Sequence, residues 1–201
     1  MDINNRKSLF LLPATASMNK KIIYLAILSL LTFSRSSHAQ LIAWQPDIKL
    51  TWSDFVATPD PKSYYWAYTY TLLNYEWTCD AYGNVTVTVD CSLDLNKSWK
   101  RTDKNLTPAL LQHEQLHFDI AELHARKLRQ AFNLYAAFHK CNPALASDLK
   151  KIFDIIIIES NDYNVLYDNE SDHSLNKLQQ WEWNKKITAE LWSLSIFASK
   201  K

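Results

Sequence analysis

The sequence predicts an α+β fold: an N-terminal antiparallel β-sheet, then a long helix over residues 108–140, then further C-terminal helices. Three observations lead there. Residues 84–95, NVTVTVDCSLDL, alternate strictly, with Val85, Val87, Val89, Cys91, Leu93 and Leu95 on one face and polar side chains on the other. A period of two marks a half-buried strand. From Thr107 to about Lys140 there is no glycine, and the one proline is Pro108. Strand-like segments all precede Thr107 and helical ones all follow it, the segregated order of an α+β domain.

Trp44, Trp52 and Phe55 are expected in the core where the sheet begins. Asp60-Pro61 marks a loop. SYYWAYTYTLL, residues 63–73, is dense in aromatic and β-branched residues and reads as one strand. Tyr82-Gly83-Asn84 supplies the turn into the alternating strand; a turn centred near Gly83 sets Cys79 opposite residue 87. Thr107 is the expected N-cap of the long helix, with Pro108 at its first position. Positions 110, 113, 117, 120, 124, 128, 131 and 135 form a core-facing stripe at helical spacing, apolar except for three histidines. Pro143 opens a second helical segment running into Ile155–Ile158, and a last helix is expected from Leu175 to Phe197.

The chain of 201 residues is 47% hydrophobic with a formal net charge of +1. That is enough apolar content for one packed domain, and it leaves no basic stripe for nucleic acid. The only glycine, Gly83, excludes glycine-built phosphate cradles. Residues 1–39 read as an N-terminal extension and signal peptide: a start at Met18, basic Lys20 and Lys21, an apolar run from Ile22 to Phe33, and cleavage after Ala39. The run is too short to span a bilayer comfortably, so no membrane anchor is expected after cleavage. The mature domain is then 40–201, periplasmic or extracellular. Export permits a disulfide among Cys79, Cys91 and Cys141, with the pairing left open.

The chemistry gathers in LLQHEQLHFD, residues 110–119. Residues i and i+4 of a helix share a face, so His113 and His117 can aim at one point. Two neutral imidazoles make half of a tetrahedral zinc site. Zinc lowers the pKa of a bound water to about 7. Glu114, one residue along, is placed to take that proton and pass it to the leaving amine of a peptide bond. His124 lies seven residues beyond His117, about 10 Å along an unbroken helix. Ile120 stands where a helix-breaking glycine would be needed to bring it back, so His124 reads as a core histidine. Glu122 is expected on a solvated side. A third ligand must come from elsewhere, and YDNESDH, residues 167–173, offers Asp168, Glu170, Asp172 and His173 in what reads as an interhelical loop.

These stretches, together with LTWSDF (50–55), Lys97–Trp99 and QQWEWNKKI (179–187), resemble a bacterial family of secreted proteins known as domain of unknown function 922 and regarded as zinc peptidases. The resemblance implies zinc held by His113, His117 and His173, with Glu170 or Asp168 as the alternative third ligand. It also implies that Asp168 holds an imidazole tautomer and that Tyr167 donates to the oxyanion. Relatives often carry threonine and glycine around that histidine, where this chain has Ser171 and Ser174. The expected activity is zinc-dependent hydrolysis of peptide bonds in a polypeptide or peptide substrate. The alternatives are a zinc amidase acting on cell-wall peptides and an inactive zincin-like scaffold.

Overall fold

In the computed structural model, residues 40–199 are described; the expected extension, signal peptide and cleavage point lie outside them. The alternating segment forms the longest strand. Numbered in chain order, the strands are β1 (Leu41–Ala43), β2 (Ala67–Tyr68), β3 (Thr71–Cys79), β4 (Val85–Asp94) and β5 (Trp99–Lys100). A three-stranded antiparallel sheet has the order β1-β4-β3, and β2 pairs with β5 in a separate ribbon. Three helices follow: α1 (Pro108–Phe138), α2 (Leu145–Ser171) and α3 (Lys177–Ser193). The α+β class is as the sequence predicts.

The 63–73 segment is not one strand. It leaves the ribbon after Tyr68 and enters the sheet at Thr71. Between them, Tyr70 N–H donates to Ser98 Oγ over 3.0 Å, and the Tyr70 carbonyl accepts from Asp94 N–H over 2.9 Å. The turn closing β4, in which Ser98 N–H and Oγ both bond the Asp94 carbonyl, thus captures Tyr70. Thr69 is left without a ladder partner in either sheet.

Cys79 faces Val85, not residue 87. The Asp80 side chain accepts from Tyr82 and Asn84 N–H, drawing the turn back by one pair. Gly83 takes a positive φ of 74° there, a conformation that costs glycine little. Cys79 joins Cys141, which fastens the hairpin tip to the link between α1 and α2. Cys91 is free and buried.

Helix α1 starts where expected: Thr107 Oγ1 accepts from Leu110 N–H over 3.1 Å. One side packs on the sheet, bringing Phe118, Ala121, Ala125, Leu128 and Phe132 onto Val85, Val89, Cys91 and Leu93. Leu116, Ile120 and Leu123 meet Tyr167, Trp183 and Ile187 of α2 and α3 on another side. Each fully buried leucine, isoleucine or phenylalanine here contributes roughly 1.5–3 kcal/mol. Being covered twice, α1 buries more than one stripe. Glu122, expected in solvent, is 1% exposed and pairs with Arg126 at 2.9 Å and Arg129 at 3.0 Å.

Helix α2 runs through the expected loop. Tyr167–Ser171 are its last turn, and it ends in three consecutive left-handed residues, Asp172, His173 and Ser174, with φ of 46°, 48° and 79°. Helix α3 begins at Lys177, capped by Asn176, and gives way to a 3-10 turn at Ser195–Phe197. No helix among the described residues is long and apolar enough to cross a membrane.

Candidate metal centre

The Thr107 cap and Pro108 fix the start of α1, so its second and third turns present His113, Glu114 and His117 toward the C-terminal end of α2. Their atoms converge closely. His113 Nε2 and His117 Nε2 are 3.2 Å apart. Asp168 Oδ1 lies 3.1 Å from the first and 3.0 Å from the second. His173 Nδ1 lies 3.6 Å from the same oxygen. His113, Asp168 and His173 each offer a ligand atom within 4.8 Å of the others, a group that could hold a metal ion.

Each imidazole is locked from behind. His113 Nδ1 faces Gln180 Oε1 at 3.1 Å, and His117 Nδ1 faces Asn164 Oδ1 at 2.7 Å. The amides cannot be turned at no cost, because Gln180 Nε2 donates to Asn184 Oδ1 and Asn164 Nδ2 donates to the Ser160 carbonyl. Both acceptor oxygens therefore take Nδ1–H, which leaves both Nε2 lone pairs aimed at the carboxylate. Three acceptors at 3.0–3.2 Å repel one another unless a cation lies among them. Three ligands of a tetrahedral zinc bound at about 2.0–2.1 Å stand about 3.3 Å apart. The donor set fits a zinc-type ion.

Without metal, a proton serves the same end. Burial pushes His117 down, but the hydrogen bond and charge of Asp168 outweigh this and raise its pKa to about 9. Burial would raise Asp168, yet the bonds from His113 and His117 hold it well below the usual carboxylate range.

Glu114 is 4% exposed, and its Oε2 accepts from Thr69 Oγ1 over 2.6 Å. The gap between β2 and β3 thus anchors the glutamate. Tyr167, expected to donate to an oxyanion, is fully buried and stacks on the His113 ring at 4.5 Å. Its hydroxyl donates to Gln180 Oε1 over 2.9 Å, so it braces the site from behind instead of facing a substrate. Burial raises its pKa well above the ordinary tyrosine value. Glu170 turns away and accepts from Trp183 Nε1 over 2.8 Å. Asp168, expected to hold a tautomer, meets the Nε2 atoms; Gln180 and Asn164 hold the tautomers. His124 is fully buried, its Nδ1 2.8 Å from the Ile120 carbonyl.

Thr69, Asn164 and Gln180 are site residues to which the sequence does not point individually. One signal was there: Asn164, Asp168 and Ser171 recur at helical spacing, a polar stripe that a loop would not need. Thr69 carries no local signal, and Gln180 shows only as part of QQWEWNKKI, one of the stretches that carry the family resemblance.

The site opens into a cleft of about 630 Å³, lined by residues 64–71 on one side and by α1, α2 and the left-handed turn on the others. A larger depression of about 890 Å³ beside Leu123, Leu134 and Phe197 is mainly apolar and has no converging polar set. Chemistry favours the smaller one.

Comparison with curated proteins and with solved structures finds no match. A family model does match, over residues 49–174, a span that holds His113, Glu114, His117, Asp168 and His173 and stops short of Gln180. The chain belongs to that family, described as bacterial protein of unknown function (DUF922).

Proposed function

We propose that the chain is an exported metal-dependent peptidase of zincin type, with zinc the metal favoured by its imidazole and carboxylate donors. The observation that carries this reading is the triangle of His113 Nε2, His117 Nε2 and Asp168 Oδ1, with edges of 3.0–3.2 Å and both Nδ1–H groups tied away from it. In this reading His113, His117 and Asp168 anchor the ion, and His173 stands on the open side. When bound, the ion acidifies water and polarises a carbonyl.

The chain's own residues do the rest. Gln180 and Asn164 hold the Nδ1–H of each imidazole, so that Nε2 is the atom offered to the ion, and Tyr167 keeps Gln180 in place. Glu114, held through one oxygen by Thr69, keeps the other for proton transfer. It takes a proton from water as the water oxygen bonds the carbonyl carbon. It then gives that proton to the amine as the C–N bond breaks. A purely structural metal site has no need of a carboxylate held in this way. The Cys79–Cys141 disulfide supports an oxidising compartment outside the cytoplasm.

The test is Glu114→Gln assayed on casein and on a peptide library. The variant should keep its metal and lose at least about 100-fold in kcat, the usual worth of a positioned acid-base group. Full activity in the variant would remove Glu114 as the base.

A further inference from the structure

Exposure alternates along the first wall of the cleft. Tyr64, Trp66 and Tyr68 are 75%, 44% and 42% exposed, while Ala67 between them is buried. The following inward position, Thr69, holds Glu114. The segment that secures the glutamate therefore also presents three large rings at the cleft. Tyr68 is steadied by stacking on Trp99 at 6.0 Å, and Tyr64 by its hydroxyl bond to Tyr65 at 3.0 Å. Across the cleft, Val165 and Leu175 are 60% and 72% exposed. Both lips are thus apolar and open to solvent, and unlike the apolar side chains exposed elsewhere they flank the converging polar groups of the site.

Charge narrows the choice. Among the described residues, no lysine or arginine lines this cleft, and its polar floor carries the carboxylates of Glu114 and Asp168. Lys104 Nζ lies 5.9 Å from the Trp66 ring and is not part of the lining. Cell-wall stem peptides are rich in free carboxylates and small alanine side chains. Apart from the ion itself, they would find no cationic side chain here and little use for the rings.

We infer that the cleft takes extended, unfolded polypeptide segments with aromatic or branched aliphatic side chains, held between the Tyr64–Trp66–Tyr68 lip and the Val165–Leu175 lip. This rests on the peptidase reading and names its substrate class. Aromatic side chains suit the task because they bring large contact area at low entropic cost.

The experiment measures binding instead of turnover, using metal-loaded Glu114→Gln protein and fluorescence anisotropy. One probe is a neutral labelled peptide of alternating Phe and Leu with serine. The other is a labelled stem peptide of alanine, glutamate and diaminopimelate. The apolar probe should bind at least about tenfold tighter. Adding Trp66→Ala or Tyr64→Ala should weaken it about tenfold and leave the stem peptide unaffected. Equal or tighter binding of the stem peptide, no binding of the apolar probe, or indifference to both aromatic substitutions overturns the inference. Zinc measured on the same samples separates the two claims: apolar-probe binding by protein that holds no zinc supports the substrate class and sinks the metal centre.

Discussion

Thr69 Oγ1 donates to Glu114 Oε2 over 2.6 Å, joining the gap between β2 and β3 to the middle of the HExxH turn. Hydrogen bonds to a charged group are worth about 1.5–3 kcal/mol. Thr69→Val keeps the shape and removes the donor. It should lower kcat by about tenfold or more, with KM and zinc content unchanged. Steady-state kinetics beside metal analysis check this; an unchanged kcat would mean that Glu114 needs no such anchor.

Gln180 stands behind His113 as an acceptor for both its Nδ1–H and the Tyr167 hydroxyl. Gln180→Leu removes the shared acceptor, leaving the Tyr167 hydroxyl only the His113 carbonyl at 3.2 Å and His113 Nδ1 only the distant Ser171 Oγ at 3.4 Å, and it loosens the tautomer. Metal affinity should drop 10–100-fold, the usual cost of losing a group that orients a ligand. Competition with a chromophoric chelator gives the number. An affinity within twofold of the parent would show that the imidazole is held by its packing alone.

Asp168 and His173 compete for the third ligand position. On the proposed reading Asp168 is the anchor, because its Oδ1 lies 3.0–3.1 Å from both Nε2 atoms, while His173 Nδ1 lies 3.6 Å from that oxygen. Asp168→Ala should cost at least about 100-fold in zinc affinity, while His173→Ala, on the half-exposed turn, should cost less than tenfold. The opposite ranking would transfer the role to His173.

Glu122 is buried between Arg126 and Arg129, and Arg129 also bonds the Val89 and Phe197 carbonyls. Glu122→Gln leaves two guanidinium groups buried without their counter-charge, which should cost about 3–5 kcal/mol. Urea denaturation reads this directly. A loss under about 1 kcal/mol would show that the arginines find water or other partners.

How far the sequence spoke depends on whether a feature is local. The strand at Val85–Asp94 and the helix at Pro108–Phe138 follow from periodicity and capping, which are set by neighbours in the chain. So is the convergence of His113 and His117, one turn apart. Glu122 misled because its place on the helix is polar by pattern, while the sheet and the C-terminal segment cover it in three dimensions. YDNESDH reads as a loop by composition, yet the helix absorbs it through Ser171 because Tyr167 and Ser171 are needed in the core. The Cys79–Cys141 pairing depended on a hairpin tip meeting a distant interhelical link, which no spacing encodes. Gln180 and Thr69 reach the site only through tertiary packing.

Zinc stoichiometry tests the metal centre most directly. Protein spanning residues 40–201, purified, exposed to equimolar zinc and passed over a desalting column, should retain about one zinc per chain by atomic emission. The His113→Ala, His117→Ala double variant, confirmed folded by circular dichroism, should retain none. Metal-free wild-type protein after this treatment, or a folded double variant that still holds a full equivalent, would contradict the account.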